Sequence, residues 1–219
     1  MIKNILIFAL SGLFFLSACD KSSLPLIPPT VVSDKTPFDS DDPAIWIHPE
    51  DPSKSLIFGT DKDTQGGVYA FDLKGNLLPE KSITGIARPN NVDIEYGFML
   101  PDSSAVDLLV FTERERQQIR IFSLPDVKPI DGGGIPVFEE ETDPAFRLPM
   151  GVAIYKDPSN HHFYAIVGRK NGPSGEYLYQ YHLTSDTLGT NQLKATLVRK
   201  FGTFSGQKEI EAIAVDDVN

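Results

Sequence analysis

Four short apolar runs recur in the same order along this chain, and a recurrence of that length admits few folds. First runs begin at Ala44-Ile-Trp-Ile, Val92-Asp-Ile-Glu-Tyr, Val152-Ala-Ile-Tyr and Ala212-Ile-Ala-Val, spaced 92 − 44 = 48, 152 − 92 = 60 and 212 − 152 = 60. Second runs follow at Leu56-Ile-Phe, Leu108-Leu-Val-Phe and Phe163-Tyr-Ala-Ile-Val, and third runs at Val68-Tyr-Ala-Phe, Ile119-Arg-Ile-Phe and Tyr179-Gln-Tyr-His-Leu. Weaker fourth runs span Leu77 to Ile83, Ile135 to Phe138 and Lys194 to Phe201. Val, Ile, Phe and Tyr dominate the runs, and Gly, Pro, Asp and Asn the gaps between them. No helical period is sustained after residue 38, so the class is all-β. Four strands per repeat of this size predict the blades of a β-propeller, in which each blade has faces that only its neighbours can cover. Rings hold about four to eight blades. This chain supplies three and begins a fourth at Glu211, so the expectation is part of a larger ring.

The N-terminus reads differently. Lys3 precedes an apolar stretch from Ile5 to Leu16, too short to span a membrane comfortably and laid out like a secretory signal. It ends Leu16-Ser17-Ala18-Cys19, which resembles the lipobox of bacterial lipoproteins, where the cysteine is lipidated and becomes the first mature residue. Cys19 is the only cysteine, so no disulfide can form within the chain. The expected organisation is a signal peptide over 1–18, a tether over 19–37 and a partial propeller over 38–219. The expected location is the bacterial cell envelope, periplasmic or at the cell surface.

Thirty acidic against twenty basic residues give a net charge of −10, which argues against nucleic acid as a partner. Against that acidic background one pattern of cations stands out. The second strands end Thr60-Asp61-Lys62, Thr112-Glu113-Arg114 and Gly168-Arg169-Lys170, so a basic residue occupies one slot in three successive repeats. Equivalent strand ends of a propeller share one face of the disc. Lys62, Arg114 and Lys170 should therefore converge on a common mouth and bind an anion there, the arginine as a fork and the lysines as mobile point charges. Asp61 and Asp63 read as solvated loop residues, as does the acidic run Glu139-Glu140-Glu141.

Paired carboxylates border the same strands. Asp41-Asp42-Pro43 precede the first, and Glu211 and Asp216-Asp217 bracket the start of the fourth repeat. Hard oxygen donors of this kind suit Ca²⁺, and Asp pairs equally suit capped turns. His48, His161, His162 and His182 show neither metal-ligand spacing nor a Ser/His/Asp arrangement, and Gly132-Gly133-Gly134 lacks the residues of a phosphate loop.

Asp41-Asp42-Pro-Ala-Ile-Trp46, Asn90-Asn91-Val-Asp-Ile94 and Glu211-Ala-Ile-Ala-Val-Asp-Asp217, in this order and spacing, resemble the β-propeller phytases of bacteria. The resemblance covers about residues 38–219 and implies a six-bladed propeller, monomeric when full length. It also implies hydrolysis of phytate, myo-inositol hexakisphosphate, with the help of several calcium ions. By this resemblance Lys62, Arg114 and Lys170 hold substrate phosphates. Asp41 and Glu211 bind calcium ions that bridge enzyme and substrate, and Asp42 with the carbonyls of Pro43 and Val92 forms a more structural calcium site. Lys62, Arg114, Lys170 and Glu211 are the implied catalytic set, acting on a phosphoryl group attacked by water. Three positions depart from the family pattern: Met150 stands where a tyrosine contacts phosphate, Ala212 replaces a glycine, and Glu113 stands where some members have asparagine. The alternatives are a phosphatase for another phosphate monoester, a calcium-dependent lactonase or esterase, and a non-catalytic, lipid-anchored propeller that binds a glycan or a protein.

Overall fold

The computed structural model describes residues 27–186, 190–204 and 209–216, so Cys19 and Asp217 lie outside the described residues. From Val31 onward the chain forms one compact unit. Its described residues form thirteen strands: β1 (Ser40–Trp46), β2 (Leu56–Asp61), β3 (Gly67–Phe71), β4 (Ile83–Thr84), β5 (Pro89–Met99), β6 (Ala105–Glu113), β7 (Gln118–Leu124), β8 (Lys128–Pro129), β9 (Ile135–Pro136), β10 (Pro149–Lys156), β11 (Phe163–Arg169), β12 (Leu178–Ser185) and β13 (Leu193–Phe201). Single 3-10 turns supply the helical content among the described residues, and no helix there is long and apolar enough to cross a membrane.

Each expected repeat is an antiparallel sheet wound in chain order: β1-β2-β3-β4, β5-β6-β7-β8 with β9 beside β7, and β10-β11-β12-β13. The fourth strands of the first two sheets are shorter than expected. Leu77 makes only an isolated bridge to Phe71 before β4, and the second sheet divides the role between β8 and β9. Residues 209–216 carry no strand, although the sequence predicts one from Ala212.

The middle sheet explains how such a chain buries a core. Side chains alternate across a strand, so β6 sends Leu109 and Phe111 to one face and Leu108 and Val110 to the other. β7 likewise divides Phe122 and Leu124 from Ile119 and Ile121. The first set joins Trp46, Phe58, Val68 and Ala70 of the first sheet in one core cluster. The second joins Val152, Ile154, Ala165 and Tyr179 of the third sheet in another. Strands sandwiched on both sides read as continuous apolar runs. The innermost strands β1, β5 and β10 stand side by side, as the hub of a propeller requires. Trp46 closes one seam by donating its indole N–H to Asp107 at 2.7 Å.

Register corrects one alignment. Pro43, Val92 and Val152 are the equivalent residues, opposite Gly59, Phe111 and Val167. The sequence reading placed Ala44 in that position. A slip of one residue moves a side chain to the other face of its sheet.

Candidate functional site

The three inner strands share an irregularity at one end. Pairing shifts between Ser40 and Pro43, between Pro89 and Val92, and between Pro149 and Val152. The bulged residues are therefore Asp41-Asp42, Asn90-Asn91 and Met150-Gly151. Bulges bend a strand and re-aim its side chains, and they gather near active sites. The second strands end opposite these bulges, with Asp61 facing Ser40, Glu113 facing Pro89 and Arg169 facing Pro149.

The next residue in each sheet is one of the predicted cations, and its backbone is fixed the same way each time. Lys62 N–H donates to the Asp39 carbonyl (2.9 Å), Arg114 N–H to Arg88 (3.1 Å) and Lys170 N–H to Leu148 (2.8 Å). A threonine two residues earlier stitches neighbouring sheets. Thr60 Oγ1 accepts from Asp42 N–H (2.9 Å) and donates to the Asn90 carbonyl of the next sheet (2.6 Å). Thr112 repeats this with Asn91 N–H (3.2 Å) and the Met150 carbonyl (2.9 Å). In the third sheet Gly168 takes the slot. There the incoming segment lies against the strand, and a Cβ on Gly151 would collide with the Glu211 carbonyl oxygen.

Lys62, Arg114 and Lys170 are brought to one cluster. Lys62 Nζ lies 2.7 Å from Asp41 Oδ1 and 4.0 Å from Asp39. Its ammonium is pushed up chiefly by the hydrogen bond to Asp41, against the cost of burial, with added support from the charges of Asp41, Asp39 and Glu211. Lys170 Nζ lies 2.8 Å from Glu209 Oε1 and holds that carboxyl below its usual range. Arg114 sits between these pairs, only 7% exposed, its guanidinium against the Met150 sulfur. Burial lowers its pKa first and the charge of Arg88 second, while Glu209, Asp41 and Glu211 act in the opposite sense. All four acidic and basic neighbours of Arg114 are therefore within electrostatic reach of one mouth.

The residues expected to hold metal divide into two kinds. Asp41 is engaged by Lys62 and by Asn90 Nδ2 at 3.4 Å. Asp42 accepts Val92 N–H (3.1 Å) and has no ion-pair partner among the described residues. Burial raises its pKa against the bonds from Val92 and Asn91, and Asp41 adds to the rise. Asp93 behaves alike, raised by burial despite bonds from Ile154 and Ile94 N–H, with the charge of Asp42 adding. Both line a cleft with Pro43 and Val92, and residues 212–215 form its other wall. No three His, Cys, Asp or Glu side chains converge on a metal position among the described residues. The donors nonetheless fit calcium in kind: hard oxygens throughout, carboxylate charge without a basic partner at Asp42 and Asp93, and a buried Asn90 Oδ1 that receives no hydrogen bond.

The expectation of solvated aspartates and glutamates fails at two places. Asp61 is fully buried and accepts Phe38 N–H (2.8 Å) and Asp39 N–H (2.9 Å), anchoring the chain that leads into β1. Asp63 keeps the loop reading, its Oδ1 accepting Gln65 N–H at 2.9 Å in an exposed turn. Glu141 pairs with the buried Arg169 and accepts from Tyr179 Oη at 2.9 Å. Sequence reasoning also missed Arg88 and Glu209. The alternation Glu209-Ile210-Glu211 was a usable signal, since two carboxylates two residues apart in extended chain share a face.

A family model described as Phytase matches residues 9–218. The chain is also similar to a 3-phytase of Bacillus subtilis (strain 168), with 30% identity over 144 residues, covering 63% of this chain and 35% of that protein. It thus spans about a third of the length of this relative. With the family model matched over nearly its whole length, and with sheets of the expected order behind the motifs, the chain belongs to the phytase family.

Proposed function

We propose that this chain forms part of a calcium-dependent phosphomonoester hydrolase that releases inorganic phosphate from phytate. The observation that carries the reading is the gathering of Lys62, Arg114 and Lys170 at one mouth, on identically fixed strand ends, among carboxylates. These cations bind and orient phosphoryl oxygens and stabilise the charge that develops there. Asp41 and Glu211 would hold calcium at the substrate, with Glu211 counted in the catalytic set, and Asp42 with the carbonyls of Pro43 and Val92 would hold calcium deeper in the hub. Calcium, when bound, supplies Lewis acidity and offsets repulsion between an acidic protein and a polyanionic substrate. Lys62 and Lys170 are paired internally in the described geometry, so each exchanges a carboxylate for a phosphate when substrate enters.

The mature protein on this reading is a monomer, lipid-anchored through Cys19 in the bacterial cell envelope. The test is phosphate release from phytate by the purified protein, with calcium and with a chelator. Release that survives chelation removes the calcium from the proposal, and no release in either condition removes the activity. Met150 favours one second reading. It is buried against Arg114, and a thioether is a much weaker partner for phosphate than a phenol. Turnover of a simple aryl phosphate with phytate left intact would select another phosphate monoester as substrate.

A further inference from the structure

Arg88 lies just outside the Asn90-Asn91-Val-Asp-Ile94 stretch, and three features of its placement bear on the mouth. Its φ of 60° puts it in the left-handed region, which L side chains avoid outside special positions. Strain of this kind persists only where the surroundings enforce it, and it concentrates at functional sites. The enforcement here is explicit. Arg88 N–H donates to the Asp63 carbonyl (3.0 Å), and the Arg88 carbonyl accepts Arg114 N–H (3.1 Å). Ala87 is held in the same way, by Glu113 Oε1 (2.9 Å) on its N–H and by Glu115 N–H (3.2 Å) on its carbonyl.

The second feature is chemical. The Nε atoms of Arg88 and Arg114 are both buried without a hydrogen-bond partner. Neither guanidinium is ion-paired to a carboxylate among the described residues, whereas Lys62 and Lys170 both are. The third is that the two residues share a backbone hydrogen bond and carry like charges, with Arg88 second to burial in lowering the pKa of Arg114. Like-charged arginines on hydrogen-bonded backbones, each with a buried and orphaned Nε–H, are costly unless an anion completes them.

We propose that Arg88 is a fourth phosphate-binding side chain of the mouth, forming with Arg114 a two-guanidinium clamp on a single phosphoryl group. The backbone bond between the two residues fixes the spacing of their main chains before substrate arrives. A tetrahedral phosphoryl group offers several acceptor oxygens, enough to satisfy both Nε–H groups and their neighbouring donors at once. This inference rests on the phosphomonoester reading above, and it assigns Arg88 to substrate binding, not to fixing the fold.

The experiment follows phosphate release from phytate and its inhibition by inorganic phosphate, in wild type, Arg88→Ala and Arg88→Lys. Alanine keeps the left-handed backbone as a non-glycine residue and removes only the side chain. About a ten-fold rise in KM and in the inhibition constant for phosphate is expected for Arg88→Ala, the size of one lost charge-assisted hydrogen bond. Partial recovery is expected in Arg88→Lys, which keeps the charge and lacks the fork. Unchanged KM and inhibition constant in Arg88→Ala overturn the clamp while leaving the phosphatase reading intact. A wild type that releases no phosphate from any ester overturns that reading instead. Should Arg88→Ala not fold, phenylglyoxal labelling of wild type decides. Phosphate must protect Arg88 and Arg114 together, and labelling of Arg88 that ignores phosphate rejects the clamp.

Discussion

Two adjacent slots at the ends of β2, β6 and β11 follow different rules. The first holds Asp61, Glu113 and Arg169, all buried; the second holds Lys62, Arg114 and Lys170, always a cation. In the first slot the charge changes sign, and the bond it makes is similar in purpose. Asp61 receives the N–H groups of Phe38 and Asp39, and Glu113 receives that of Ala87, each on the chain leading into the inner strand of its own sheet. Arg169 reverses the polarity and reaches Glu141 on the corresponding lead-in of the third sheet, while donating to the Glu176 carbonyl at 3.1 Å. Either sign can tie a loop if a partner of the other sign is built opposite. On the function proposed above, the second slot has no such freedom, because a phosphate from outside the fold takes the place of the internal partners of Lys62 and Lys170. On that proposal, invariance of sign within one molecule separates residues that serve a ligand from residues that serve the chain.

The sharpest way to break this distinction is at Arg114. Arg114→Ala should lower phosphate release by about 10²–10³-fold, the usual loss when one group stabilising a developing oxyanion is removed. The melting temperature should change little. Lost packing against Met150 is offset by removing a desolvated charge that has no carboxylate ion-paired to it. A variant that unfolds while its remaining folded fraction keeps wild-type turnover would place Arg114 in the structural slot.

Arg169 should behave in the opposite manner. Its pair with Glu141 is nearly buried, at 1% and 20% side-chain exposure, and removing one member leaves a buried charge alone. Arg169→Met or Glu141→Gln should therefore cost about 3 kcal/mol of stability, toward the lower end for broken buried pairs because Glu141 is partly exposed. Turnover per folded molecule should stay within a few-fold of wild type. Burial alone would raise the Glu141 carboxyl, and hydrogen bonds from Arg169 and Tyr179 outweigh it to hold it below the usual value. For an acid lowered in the fold, the stabilisation is present above its ordinary pKa and disappears as pH falls through the folded value. The stability gap between wild type and Glu141→Gln should therefore be full near pH 6 and close as pH falls below about 4.5, the ordinary carboxylate range. Thermal unfolding of both proteins across that window reads it directly, and a gap that stays constant would deny the ion pair its role.

The strands were legible because sandwiched sheets impose long apolar runs, and the runs repeat. The mouth was legible because a basic residue recurs at one register position, which needs no knowledge of side-chain direction. The bulges were not. Asp41-Asp42 and Asn90-Asn91 have the composition of turns, and the extra residue appears only when both strands are paired. Pro43 lacked the β-branched character of a strand start, so the apolar run seemed to begin at Ala44 and the alignment slipped by one. Asp61 was misread because a carboxylate looks solvated when its partners are backbone N–H groups, which every residue possesses. Arg88 lies between Gly85 and Pro89 in what reads as a loop, and nothing in its side-chain type announces a left-handed backbone.

The smallest effect tests the distinction most closely, because it separates neighbours in sequence. Lys170 follows Arg169, yet its ion pair with Glu209 is about one-third exposed on each side, at 35% and 34%. Exposed pairs of that kind contribute about 0–1 kcal/mol, since water already solvates both charges and ordering the side chains costs entropy. Lys170→Met should shift stability by less than about 1 kcal/mol, while KM for a phosphate ester rises several-fold from the loss of one point charge at the mouth. Glu209→Gln supplies the control. If Lys170 serves only Glu209, both substitutions should act alike on KM. If Lys170 serves substrate, removing its internal competitor should leave KM unchanged or lower it, because the ammonium no longer has a carboxylate to give up. Opposite signs from the two ends of one ion pair would assign the lysine to the ligand, and a rise in KM at both ends would return it to the fold.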